Sequence, residues 1–299
     1  MLARKKIIMK CVLLWCFLGT AAIQGQILKD TASINLLKKG VDNIYALRFD
    51  EARDISEKLS KIYPDHPVIN LYKGMLTYWE EYPLIPSSPA SVSYEYYLTN
   101  CIKQCEKAQN PGDYAEYLLA NLGERGMLLM YYADNNLTDK VNPLIINTYR
   151  HVRESFNYTS LYSDFYFFTG LYNYYREAYP EAHPIYKVLA FLFPKGDREK
   201  GLKEMQNAGA NSIMLKAEAY SFLSYIFMSF ENNYLQSLAY TRALHELYPA
   251  NLQYLAGYIK NLLLIKKYDE AESIITSLNE EISNSYFLAQ ITVFNGILQ

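Results

Sequence analysis

The chain has 299 residues, of which 51% are hydrophobic and 20% charged, with a formal net charge of −2. So much apolar side chain excludes a disordered polypeptide, and the near-neutral charge excludes the clustered Lys and Arg that nucleic acid requires. Tyrosine is the outlier, with 30 copies against 13 phenylalanines and 2 tryptophans; an apolar ring with one hydroxyl serves packed helices and binding grooves alike.

The N-terminus, MLARKKIIMKCVLLWCFLGTAAIQGQ, opens on Arg4, Lys5 and Lys6, continues through an apolar block centred on 11–19 and ends in small residues. That order is the build of a cleaved secretory signal peptide over 1–25. The apolar block is interrupted by Lys10 and is shorter than the ~20 residues a membrane span needs. Cleavage is expected near Gly25–Gln26, with Ala22–Ile23 as the alternative. Trp15 before Cys16 and Lys10 before Cys11 do not fit a lipoprotein. Cleavage removes four of the 29 basic residues and none of the 31 acidic ones, leaving 25 against 31 and a net charge of −6. The expectation is an exported protein, periplasmic or extracellular, with no stable membrane insertion. Only Cys101 and Cys105 remain, four apart on an expected helix, a spacing poor for a relaxed disulfide; they read as buried thiols.

Beyond the leader, the hydrophobic period predicts helices over 31–46, 49–62, 67–80, 92–109, 113–133, 139–155, 161–178, 185–192, 197–208, 215–230, 233–247, 251–265, 268–279 and 283–297. No stretch alternates like a strand. The helices come in pairs. Gly40 and Gly74 lie 34 residues apart at the same place in successive helices, FDEA at 49–52 returns as YDEA at 268–271, and Pro64 and Pro249 each follow the second helix of a pair. Small residues let paired helices approach, and proline ends the second helix because it cannot continue it.

These residues resemble the tetratricopeptide repeat, a 34-residue helix–turn–helix unit. Gly40 and Gly74 match its small residue in the first helix, Ala52 and Ala271 its small residue in the second, and Pro64 and Pro249 its terminal proline. The segment 160–280, with GLYNYY at 170–175 and FPKGDREKGLKEMQNAG at 193–209, is similar to the tetratricopeptide-39 and inclusion-body-clearance group and to secreted bacterial repeat proteins. The resemblance implies an all-α, right-handed superhelix of helical hairpins over 26–299, with an insertion at 81–94, an irregular middle at 95–160, and 283–297 as a C-terminal capping helix. It also implies an interaction scaffold and brings no catalytic residue with it.

Motifs for chemistry are sparse, and neither an enzyme nor a metal or other cofactor is expected. GDREKG at 196–201 lacks the ending of a phosphate loop and the spacing of a dinucleotide fingerprint; Asp197 reads as a helix cap. His66, His151, His183 and His245 form no HExxH motif, and one histidine with one loop carboxylate, as in Glu181–Ala182–His183, makes a poor zinc site. No nucleophile elbow or Ser/His/Asp order is present.

The aromatic stretch FYFFTGLYNYYREAYP at 165–180 divides into two stripes at helical spacing. Phe165, Phe168, Tyr172 and Tyr179 are expected to pack between helices. The other stripe maps to the concave edge of the repeat, which collects Met75, Tyr78 and Trp79, then Phe167, Tyr174 and Tyr175, then Tyr225. With these seven as candidate partner-binding residues, the expected function is capture of a protein or peptide partner in an aromatic groove. The alternative is a small ligand or glycan stacked on the same rings, and the groove is open or else filled by the chain's own segment 81–94.

Overall fold

The computed structural model describes residues 26–107, 111–187, 191–278, 282 and 284–299; the leader expected over 1–25 lies outside them. Thirteen α-helices and no strand are found among the described residues. The helices are α1 (Thr31–Tyr45), α2 (Phe49–Ile62), α3 (Pro67–Glu80), α4 (Pro89–Glu106), α5 (Tyr114–Asp134), α6 (Thr138–Ser155), α7 (Phe165–Ala182), α8 (Arg198–Asn211), α9 (Lys216–Ser229), α10 (Tyr234–Leu247), α11 (Leu252–Leu264), α12 (Tyr268–Thr276) and α13 (Ser285–Leu298). No described helix is long and apolar enough to cross a membrane.

Consecutive helices pack as antiparallel pairs from α1/α2 to α11/α12, and α13 lies on α11 and α12. This consecutive packing is consistent with a helical repeat. Four of the pairs turn in the same way. Leu47, Asn136, Asn232 and Lys266 each sit in the left-handed region, with φ of 58°, 57°, 51° and 62°. In three of these turns the next residue's N–H reaches the carbonyl five residues back: Arg48 to Asn43, Leu137 to Tyr132 and Lys267 to Leu262. Such a bond satisfies carbonyls that the ending helix leaves free. The α3/α4 and α7/α8 pairs carry longer connections instead.

Helix starts are set by side chains. The Asp30 carboxylate accepts from the N–H groups of Ala32 and Ser33, Asp197 from Lys200, and Asn251 from Gln253 and Tyr254. Each such cap stabilises its helix by about 1 kcal/mol. Ala52 and Ala271 are fully buried in the second helices of their pairs. The closest crossing is α7 on α8: a Cβ on Gly170 would stand 2.9 Å from the Gly201 carbonyl, and one on Gly201 would stand 2.6 Å from the Tyr174 nitrogen. There backbone meets backbone, and no side chain can yield.

Some expectations change. Over 185–192 the described residues are the end of the short 3-10 turn Pro184–Tyr186, helical Lys187 and a turn that begins at 191, while 188–190 of the expected helix lie outside the described residues. Helix α7 runs on through Pro180 to Ala182. The segment 81–94 is loop only as far as Ser88, which caps α4. The middle region at 95–160 holds most of α4 together with α5 and α6.

The row of hairpins curves until its first and later members touch. Tyr248 donates to Asp42 at 2.9 Å, and the Asn251 amide donates to the Tyr45 carbonyl at 2.9 Å. The Tyr45 ring lies 5.4 Å from Tyr248 and 5.6 Å from Trp79. Tyr82, from the 81–88 connection, stacks on Trp79 at 5.6 Å and meets Tyr286 at 6.0 Å. Rings from both ends of the chain thus fill one side of the interior.

Candidate functional site

Behind these rings lies a cavity of about 370 Å³, walled by the first helices α1, α3, α5, α7 and α9 and by α6. That volume falls within the roughly 300–1,000 Å³ of small-molecule sites. The wall is almost wholly aliphatic, aromatic or methionine, with Leu71, Met75, Met127, Phe167, Leu171 and Phe222 among its members. Gly126 forms part of it and faces open space, since a Cβ there would meet nothing within 4 Å.

Most hydroxyls on the wall are occupied elsewhere. Tyr72 donates to the Ala52 carbonyl, Tyr172 to the Pro194 carbonyl and Thr148 to the Leu144 carbonyl. Glu218, near the start of α9, is the one carboxylate on the wall. Its Oε1 accepts the Tyr45 hydroxyl, while Oε2 is sealed from solvent and has no hydrogen-bond partner. The residue as a whole keeps some accessible surface, although Oε2 itself has none. Burial pushes its pKa up to about 8, from an ordinary 4.5. Protonated, it carries one O–H donor, which belongs to Oε2 and has no acceptor in the structure.

Helix α6 is the thinnest wall. It contributes Thr148, Tyr149 and Val152 to the cavity, yet Ser155 is its one buried residue, and Ile146 on its outer side is 76% exposed. On the α5 side Met130, also on the wall, is 44% exposed.

The seven expected partner-binding residues divide among three places. Met75 and Phe167 come together on the cavity wall. Tyr78 and Trp79 belong to the aromatic cluster beside it, Tyr78 lying 5.9 Å from Trp79 and 5.6 Å from Tyr82. Tyr174, Tyr175 and Tyr225 gather around Phe230 at 6.1, 5.3 and 6.0 Å. Of these, Tyr174 is fully buried and donates to Glu231 at 2.6 Å, whereas Tyr225 is 49% exposed. The Glu181 carboxylate is taken by Arg198 at 2.9 Å.

Tyr225 borders a second hollow of about 360 Å³ between α9, α11 and α13. Its wall mixes polar side chains with apolar and aromatic ones. Gln253, Asn261 and Gln290 lie on its wall, and the side-chain oxygen of each lacks a partner.

Reasoning from sequence overlooked Tyr45, Gly126 and Glu218. An acid in the first turn of a helix normally complements the dipole from solvent, so Glu218 carries no sign of burial. The available hint was its setting between Ala217 and Ala219, both of which are buried. No protein-family profile, curated protein or solved structure matches the chain.

Proposed function

We propose that the chain is an exported, tetratricopeptide-like binding protein without catalytic activity, wound as a right-handed superhelix and capped by α13, whose interior holds a neutral amphiphile. The ligand has a compact hydrocarbon body and one hydroxyl or carbonyl headgroup, as in a long-chain alcohol or a polycyclic lipid alcohol. The apolar cavity with a single buried carboxyl on its wall carries this reading. A hydrocarbon body gains roughly 25 cal/mol per Å² of apolar surface removed from water. The headgroup oxygen accepts from the Glu218 carboxyl, whose sealed Oε2 comes into reach by a side-chain rotation.

The test is organic extraction of the purified protein followed by mass spectrometry, with titration of a fluorescent long-chain alcohol. Saturable binding at one equivalent, weakened about tenfold or more by Glu218→Leu, is the expected result; no binding by folded wild-type protein rejects it.

A second reading, a peptide or glycan partner, rests on the hollow beside Tyr225. Unpartnered amide oxygens next to an exposed ring suit the N–H groups of a peptide or the hydroxyls of a sugar. A thermal shift with oligosaccharides or peptides that Tyr225→Ala removes and Glu218→Leu leaves in place would favour it.

A further inference from the structure

We propose that Cys101, Cys105 and Glu124 form a metal site for zinc, separate from both cavities. Positions 101 and 105 are four apart on α4, which puts both thiols on one face of the helix. Glu124 comes from α5, which packs on α4. One ligand atom from each residue lies within 4.8 Å of the other two. In a tetrahedral zinc site with Zn–S of about 2.3 Å, ligand atoms stand roughly 3.5–4 Å apart, so a small inward movement of side chains closes the set.

Glu124 is the independent observation. Its side chain is 0% exposed, and neither carboxylate oxygen has a hydrogen-bond partner. The Cys101 thiol, a weak donor, is the polar group that faces it. A buried carboxyl left in this way is costly to folding. A divalent cation removes that cost by giving the oxygens the partner they lack. Without metal, burial pushes the Glu124 carboxyl and the Cys101 thiol well up.

Charge also fits zinc. Two thiolates and a carboxylate around a divalent ion leave one net negative charge. Arg125, 3% exposed, sits beside the site, and its field favours the charged form of Glu124. Its guanidinium lies 3.8 Å from Glu106, too far for a direct hydrogen bond. Thiolate ligands select zinc over the oxygen-seeking cations, and three protein ligands leave a fourth position for water. Cys105 is only half-buried, which gives the ion a path. Loading releases protons from the thiols, so affinity rises with pH.

The probe is cobalt(II), which reports thiolate coordination through a charge-transfer band and is displaced by zinc. The full chain is used in a Cys11→Ser, Cys16→Ser background, reduced before loading. One equivalent of cobalt is expected to give the band, zinc to abolish it, and Cys101→Ser or Cys105→Ser to remove it. Glu124→Gln is expected to keep the band while weakening affinity at least tenfold. No band in the reduced background protein overturns the site, as does a band that survives both cysteine substitutions. Unchanged affinity in Glu124→Gln overturns it too. A Cys101–Cys105 disulfide that resists reduction counts against it in the same way.

Discussion

The hydroxyl of Tyr45 in α1 donates to Oε1 of Glu218 in α9, across 173 residues of chain. The carbonyl of the same Tyr45 accepts from Asn251 ahead of α11. One residue therefore joins the first helix to two later hairpins, and it does so at the cavity wall. The buried carboxyl and the closure of the fold are consequently one structural event.

That coupling sets a pH dependence. Glu218 holds its proton to about pH 8 in the folded state, against about 4.5 when exposed. Below about 4.5 both states are protonated and the group's contribution is fully present. Between about 4.5 and 8 the unfolded chain ionises first, so stability falls as pH rises, by up to about 1.4 kcal/mol per unit. Glu218→Gln is expected to flatten this slope. Melting curves from pH 4.5 to 8.5 decide the matter, and equal slopes for variant and wild type would show a normally titrating carboxyl.

Gly126→Leu places an isobutyl group in open cavity space. Loss of amphiphile binding by at least tenfold is expected, with a melting temperature equal to or above that of wild type, since filling a cavity restores packing. Binding that survives the filled cavity would move the ligand elsewhere.

Tyr174 and Tyr225 were expected to share one face, yet their costs on truncation should differ sharply. Removing the buried Tyr174 ring is expected to destabilise by about 3–5 kcal/mol, and it leaves Glu231 with Arg198 as its remaining partner. Tyr225→Ala, at a half-exposed ring, is expected to change stability by less than about 1 kcal/mol. Chemical denaturation of both variants gives the comparison, and it makes Tyr225 the usable position for testing partner capture.

Lys266 holds φ of 62° at an exposed turn between α11 and α12. A side chain there strains the backbone by roughly 1–2 kcal/mol, part of which glycine returns as lost chain entropy in folding. Lys266→Gly is expected to stabilise by about 0.5–1 kcal/mol, raising the denaturation midpoint without altering its slope. A lower midpoint would mean that the lysine stem or its neighbours contribute more than the strain removes.

The helical hairpins were legible because their signals are local. Gly40, Gly74, Ala52, Ala271 and the terminal prolines act within one helix or between neighbours. Two residues of the cavity wall, Met75 and Phe167, were among the candidates because the repeat resemblance put them on one edge of their helices. What sequence did not disclose was which distant residues would join them. Glu218 carries no local mark of burial, Tyr45 is one of 30 tyrosines, and Glu124 stands 19 residues from Cys105 on a different helix. Each acquires its role only when distant segments meet, and no periodicity encodes that meeting.

The bond between Tyr45 and its distant partners bears on how the chain can be shortened. In an open array each hairpin leans only on its neighbours, and a terminal unit can be trimmed while the remainder stands. Here removal of α1 and α2 would take away the Tyr45 ring, strand the Glu218 acid and expose Trp79, Tyr248 and Tyr254 together. The chain should therefore melt in one step and resist truncation at its N-terminal end, behaving as a hoop and not as a ladder.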